Sequence, residues 1–546
     1  MRSLNTKSIL VIFFATAIFR LIHIAIFPVT QDEAYYFYWA KFLDFGYFDH
    51  PPMMAWVSSL GNLFPSSVFA SRFGGAVLTT LMFPVFLSLA RVSGLTTTKA
   101  IITALLLSNL NLAALLLGII QTPDLPLAAF WLLALHEAAY ALKLDPKRWI
   151  TAGLFTGLGL TSKYTMAIMG FVFLYGLWRK KGALLKPWPY LGGLACVIAF
   201  SPHIIWNYQH DWVTFRFQFG RGLKSEYNVD TNMGNKLPAA LEAPQNSKEH
   251  TLAEAFKRPE KPKKKKAPRA NWEKRLQGLS NFIGGQVALW GLLVFPILMG
   301  IRRKGHEEDL IDDNLRGLLL ASALVPLIIF GLLSPFQKIE ANWPAVYLFG
   351  ASILLASRSI PWKALWFFGA ANAALIAVLG FHANSPLKEH NPHKDRVLYE
   401  THGYETLASK LSDLDAPIFA DTYQNISMLQ FYNENLKVSQ WPGITRPSEM
   451  IRRKEMVYSS FSDAKDRGEI FLLTSNRIPP RIPGFNIIDL WEYRDCVSGR
   501  FQIFPSTEDK YLQKSCKNAV HRWSVGRYQL SSSDVSTSSS GSVNPR

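Results

Sequence analysis

Asp32 and Glu33 stand just past the end of an apolar run, Ile9–Phe27, at the start of QDEAYYFYWAKFLDFGYFDHPPMMAW. A carboxylate at the mouth of a membrane helix is costly to desolvate, so it marks chemistry by default. Partly shielded by Tyr35, Tyr36, Phe37 and Trp39, Asp32 is expected to have a raised pKa and to act as a general base, with Glu33 beside it. The bland alternative makes Asp32 a helix N-cap for residues 33–40. One residue can do both jobs. Asp49-His50-Pro51-Pro52 follows, where paired prolines hold two polar side chains in place, or simply start the next helix. Asp124, in QTPDLP, again begins a span on the same side, where an acid gains from the helix dipole. The functional reading sets it opposite Asp32 across one cavity. There the two acids would split base and substrate-orienting roles, or bind a divalent cation. No His/Cys cluster has zinc spacing, so no metal or other cofactor is demanded.

The cations of that face are Lys163, Arg216, Arg221 and Lys338. Ammonium and guanidinium groups near the headgroup plane suit a lipid phosphate or pyrophosphate, and serve equally as interfacial anchors. Lys163 is the least bland. The stretch 149–178 runs between two basic flanks, Lys147-Arg148 and Arg179-Lys180-Lys181, in about 30 residues, too few for two spans of about 20. A short hairpin with Ser162-Lys163-Tyr164 at its tip keeps the lysine below the surface, which calls for an anion beside it. Glu340-Ala341-Asn342-Trp343 adds a polar loop whose Trp343 would stack on a sugar ring or sit in the interfacial belt. A base, an acceptor hydroxyl and a lipid-phosphate leaving group fit this set: displacement at a sugar anomeric carbon. No Gly-rich nucleotide loop is present, which favours a lipid-linked donor over a nucleotide sugar.

The elements that must position these residues are membrane helices. Of 546 residues, 49% are hydrophobic and 18% charged. Runs long enough to cross a bilayer recur up to about residue 381 and then stop. Eleven spans are predicted, at 8–27, 67–90, 100–119, 124–142, 149–162, 163–178, 188–206, 281–301, 316–333, 342–357 and 361–381. Basic loops on one side (Lys143, Lys147, Arg148; Arg302, Arg303, Lys304) alternate with the acidic and aromatic loops of the other. The positive-inside rule then puts the N-terminus in the cytoplasm, as an uncleaved first helix, and the C-terminal domain outside. The net charge of +18 does not signal nucleic acid. Ten basic residues against two acidic ones crowd into 256–275, within an insertion of about 235–275 that has too few apolar groups to order itself. HDWVTFRFQFGRGLK, at 210–224, suits an interfacial helix or strand. Residues 382–530 read as a small α/β domain, with a helix at 399–414, a strand at 417–420, a helix at 425–432 and strands at 469–474 and 486–493. Cys496 and Cys516 would pair if that domain is extracytoplasmic. The tail 531–546 is expected to be disordered. The fold class is therefore an all-α polytopic membrane domain over 1–381, followed by a small α/β extracytoplasmic domain.

QDEAYYFYWAKFLDFGYFDHPPMMAW, QTPDLPLAAFW, GLGLTSKYT and KIEANWPAVY together resemble the motifs of bacterial family-39-type membrane glycosyltransferases of the GT-C superfamily. That group includes protein O-mannosyltransferases, aminoarabinose transferases and lipid A galacturonic acid transferases. The resemblance covers roughly residues 8–381. It implies a polyprenyl-phosphate-sugar donor, inverting transfer at the periplasmic face of the inner membrane, and Asp32 as the base. His50 resembles part of the family's His-Pro-Pro element. Lipid A, another envelope glycan or a protein would be the acceptor. Another reading is a lipid-linked-sugar flippase or solute carrier; against it, the charges gather at one face and no paired repeats occur. A membrane-anchored binding protein whose C-terminal domain carries the function is the third.

Overall fold

The computed structural model describes residues 6–180, 182–223, 271–302, 311–386, 395–441, 444–459, 461–475, 479–482, 484–496, 501–505 and 519–531. The basic insertion, the Cys496–Cys516 pairing and the tail from 532 lie outside them. The described residues fall into two units. One gathers 6–27, 43–214 and 271–380, the other 28–42, 215–223 and 381–531.

The first unit is helical. Its elements begin with α1 (Thr6–Ile26), which precedes the second unit's α2 (Gln31–Trp39). They continue with α3 (Met53–Ser58), α4 (Val68–Val92), α5 (Thr98–Asn109), α6 (Leu112–Leu117), α7 (Asp124–Lys143), α8 (Trp149–Leu160), α9 (Met169–Arg179) and α10 (Trp188–Gln209). The helices Asn271–Trp290, Val294–Arg302, Asp313–Leu333, Tyr347–Ala356 and Trp362–Asn384 follow. Among the described residues, seven helical stretches are long and apolar enough to cross a membrane: α1, α4, α7, α10, Asn271–Arg302, Asp313–Leu333 and Trp362–Asn384. The chain is a multi-pass membrane protein.

Four of the eleven predicted spans are shorter or broken, each for a local reason. The run 100–119 is split because Asn111 caps a new helix, its Oδ1 accepting from the Ala114 amide at 2.8 Å while its amide group donates to Leu107 O at 2.7 Å. The run 342–357 is helical only from Tyr347, since the residues before it form turns. The run 149–178 is the short hairpin that its flanks imply: α8, a tip at Thr161-Ser162-Lys163, one 3-10 turn and α9. Glycines let α8 lie directly on α10. A Cβ on Gly153 would sit 1.8 Å from Gly192 O, and one on Gly157 2.4 Å from Cys196 O. Such backbone contact is how membrane helices associate when burial of apolar surface gives no drive. Arg20, which interrupts the first apolar run, is buried and donates to Asn109 Oδ1 at 3.2 Å and Thr79 O at 3.4 Å.

The second unit holds α2, α11 (Val213–Leu223) from Phe215 onward, and a mixed sheet. The interfacial stretch at 210–224 is thus a helix rather than a strand. Strands β1 (Ile418–Ala420), β2 (Val438–Gln440), β3 (Glu469–Ser475), β4 (Phe485–Cys496), β5 (Phe501–Pro505) and β6 (Ala519–Leu530) lie in the order β2-β1-β3-β6-β4-β5. The β2-β1-β3 half is parallel and the rest antiparallel. Helix Tyr423–Tyr432 makes the crossover from β1 to β2, and Phe419, Trp441, Leu472, Ile487 and Tyr528 form the core. The helix predicted at 399–414 is two, Arg396–Thr401 and Tyr404–Leu411. Gly403 parts them at φ +83°, in the left-handed region where a side chain is strained, and a Cβ there would lie 2.6 Å from the Asp495 carboxyl.

That bend sets two histidines in opposed electrostatic states. His402 Nδ1 hydrogen-bonds Asp495 Oδ2 at 2.7 Å, and the carboxylate raises its pKa. His521 is buried and stacked on Trp523 with centroids 4.5 Å apart; burial lowers its pKa to about 4. Between pH 6.5 and 4 the unfolded chain binds a proton that folded His521 refuses, so its contribution is complete above 6.5 and is lost as the pH falls. For His402 the sign reverses: its contribution is complete below 6.5 and lost as the pH rises through the folded value. We predict that acid destabilises this unit through His521 by about 3 kcal/mol. His521→Gln should flatten the loss of melting temperature between pH 6.5 and 4, read by Trp fluorescence; an unchanged slope would refute the assignment.

Candidate active site

Asp124 is the first residue of α7, where the helix dipole favours a negative group. Its Oδ1 takes the Lys163 ammonium at 2.8 Å and its Oδ2 the Asn342 side-chain amide at 2.8 Å. Lys163 is 9% exposed, and its Nζ lies 5.6 Å from the centre of the Trp343 ring. The anion that the short hairpin calls for is therefore Asp124 itself. Three stretches that are far apart in sequence, QTPD, TSKY and EANW, converge here. The ammonium carries three N–H donors, of which Asp124 takes one, so a phosphate oxygen can add to this pair without first breaking it.

A fourth stretch joins through the main chain. The Met53 amide donates to Thr161 O at 2.9 Å, which ties the start of α3 to the residue two before Lys163. Pro51 and Pro52 lead into that helix, with Pro52 at its cap, Asp49 buried and His50 half-buried. Nearby, Tyr164 Oη and His203 Nε2 lie 2.7 Å apart, and His203 Nδ1 reaches Phe45 O at 2.7 Å. Lys338 and Glu340 pair with each other at 2.5 Å on an exposed surface, where such a bridge contributes little. Trp343 packs edge-on against Phe330 with centroids 5.9 Å apart.

In the second unit, helix α2 separates the two acids of the first loop. Thr30 is the N-cap; its amide and hydroxyl both meet Glu33 Oε2 at 3.0 Å, closing a capping box. Glu33, 1% exposed, is thus a structural acid. Asp32 does not cap the helix. It is exposed, while Tyr35, Tyr36, Phe37 and Trp39 are buried, so the shielding expected from those rings does not cover it. Its Oδ1 accepts from the Tyr423 hydroxyl at 3.2 Å. Arg216 is exposed on α11, and Arg221 lies in the same helix, its side chain outside the described residues.

Sequence reasoning missed Asn342, Thr30 and Tyr423. The Thr-x-x-Glu spacing at 30–33 was signal enough for the cap. Asn342 was visible as an amide inside an aromatic loop. Nothing in the sequence joins Tyr423 to a residue nearly four hundred positions away. Among the described residues, no group of three or more His, Cys, Asp and Glu side chains is arranged to hold a metal ion.

Residues 49–206 match the family model described as dolichyl-phosphate-mannose-protein mannosyltransferase. The match takes in His50, Asp124 and Lys163. This chain resembles a PMT-type membrane glycosyltransferase. A comparison with curated proteins finds no match. Among solved structures, ArnT from Cupriavidus metallidurans bound to undecaprenyl phosphate is similar at 14% identity and a TM-score of 0.44, over 86% of this chain and 93% of that one. Arabinofuranosyltransferase AftD from Mycobacteria is similar at 12% identity and a TM-score of 0.46, over 97% of this chain and 40% of that one. The Archaeoglobus fulgidus oligosaccharyltransferase in its apo form gives 12% identity and a TM-score of 0.39, over 93% and 76%. With every TM-score below 0.5, none of the three bears on the site.

The PMT-type match and the pair at its centre make a stability prediction. Lys163→Met strands a carboxylate among buried neighbours and should cost about 3 kcal/mol. Asp124→Asn combined with Lys163→Met should recover most of it, since neither charge is then left alone. Melting of the purified protein in detergent reads both; equal losses in the single and double variants would show that the two residues are not coupled.

Proposed function

We propose that this protein is a glycosyltransferase that moves a sugar from a polyprenyl-phosphate donor to an acceptor hydroxyl at the periplasmic face of a bacterial inner membrane. The observation that carries the reading is the convergence of Asp124, Lys163, Asn342 and Trp343 within the unit that holds the family match. An ammonium held by one carboxylate, beside an indole face, offers charge for a phosphate and a platform for a sugar ring.

In this reading the acceptor oxygen attacks the anomeric carbon while the carbon–oxygen bond to the phosphate breaks. The bonding electrons leave with the phosphate oxygen, and the configuration inverts. Asp32 takes the hydroxyl proton as general base. Lys163, with Arg216 and Arg221, steadies the departing lipid phosphate. Asp124 orients the ammonium and, with His50, the sugar. Lys338, Glu340 and Trp343 form the polar and aromatic rim. Glu33 acts through the helix it closes, placing Asp32 rather than reacting. A divalent cation is compatible with the chemistry and is not required by it. Lipid A, another envelope glycan or a protein serves as the acceptor.

Mass spectrometry of envelope glycolipids and glycoproteins, from cells with and without the protein, should show one species losing a sugar mass. Asp32→Asn should lose the same mass while the protein accumulates normally. Lys163→Met should cut transfer by a factor of at least 100, given about 3 kcal/mol for a charge that meets a developing anion. Full transfer by Asp32→Asn would defeat the base assignment.

A further inference from the structure

The proposed base does not stand on α2 alone. Tyr423, the first residue of the crossover helix Tyr423–Tyr432, donates its hydroxyl to Asp32 Oδ1 at 3.2 Å. Its ring packs against Tyr35, one turn along α2, with centroids 4.4 Å apart. The guanidinium of Arg446 lies 4.7 Å from the Tyr423 ring centre and 4.8 Å from that of Phe217 on α11, a cation held between two aromatic faces.

The helix that presents Tyr423 is fixed at its start. Thr422 caps it, accepting from the Asn425 amide at 3.2 Å. The Asn425 side chain donates to Asp421 Oδ1 at 2.8 Å and to Ser475 Oγ at 2.6 Å, and Trp523 Nε1 donates to Asn425 Oδ1 at 3.3 Å. Each of those partners is on the sheet or at its edge. The phenol is thereby held by the C-terminal residues in one place, instead of swinging on a loop.

We propose that Tyr423 is a positioning residue for Asp32, and that the C-terminal sheet domain, through Tyr423 and Arg446, completes the surroundings of the base. The inference rests on the reading of Asp32 as the base. A phenol hydroxyl that donates to a carboxylate favours its ionised form, the form that accepts a proton, and fixes which way its oxygens point. A cation on the phenol's π-face draws electron density from the ring and sharpens the hydroxyl as a donor. Arg216 on α11 is exposed, and three other neighbouring titratable groups are engaged elsewhere. Glu33 is closed in the capping box, the Tyr35 hydroxyl accepts from the Glu449 amide at 2.8 Å, and Lys41 pairs with Glu434 at the far end of α2.

The test reads Asp32 directly and needs no substrate. A water-soluble carbodiimide with glycine ethyl ester couples to protonated carboxyls, and peptide mass spectrometry of the full-length protein in detergent gives the labelling of Asp32 against pH. Tyr423→Phe keeps the ring and removes the donor; it should move the labelling midpoint up by about half a unit to one unit. Arg446→Met should move it in the same direction by less, and serves if Tyr423→Phe does not accumulate. A midpoint unchanged in both variants overturns the proposal. The same variants, assayed in cells by the missing sugar mass, should transfer sugar several-fold more slowly. Asp32→Asn separates the two ideas: if it still transfers sugar, the base reading fails whatever the midpoint does. If it is inactive while the Tyr423→Phe midpoint stays put, only the role of Tyr423 falls.

Discussion

A lysine at the tip of a hairpin too short to lift it into water must find an anion, and here it finds Asp124. The stretches QTPD, TSKY and EANW meet on that pair. The dipole of α7 makes its first residue a good place for a negative charge, and the hairpin of α8 and α9 delivers the positive one. Asn342 takes the second oxygen of the carboxylate, which fixes the loop before Tyr347, and the Trp343 ring flanks the ammonium. A carboxylate with both oxygens engaged and an ammonium with donors to spare is an asymmetric arrangement. It leaves the cation with N–H donors for an incoming anion, while the carboxylate keeps lone pairs that can still accept from a hydroxyl.

The first loop solves a different problem. Two adjacent acids on one helix turn could repel each other or compete for the same amides. The capping box settles which does what: Glu33 is spent on Thr30, and Asp32 is turned outward to meet Tyr423. The structural and the reactive candidate are thus neighbours in sequence with opposite exposures, and the first makes the second possible by holding the helix start.

Much of this was legible in the residues. The basic flanks of 149–178 and the count between them gave the hairpin and placed Lys163 at its tip, because bilayer thickness leaves few alternatives. The capping spacing at 30–33 was also present in the sequence, and it names Thr30, not the Asp32 of the bland alternative, as the cap. What could not be read were breaks made by single side chains. Asn111 ends one apolar run and starts another, though hydropathy sees only leucines around it. Strand β6 escaped because it is buried almost throughout while its sequence, AVHRWSVGRYQL, mixes basic and polar residues with apolar ones. Its partners on β3 and β4, unknown from sequence, are what make those residues a strand. The Tyr423–Asp32 contact lay beyond any local pattern.

The bond from the Met53 amide to Thr161 O uses main-chain atoms only. Any amino acid other than proline at position 53, and any at position 161, can supply it. The turn at His50 and the loop at Lys163 are therefore stitched together in a way that is blind to side-chain identity. Side chains around that seam can be exchanged while the two loops stay in step, so this part of the chain tolerates substitution without the scaffold having to be rebuilt.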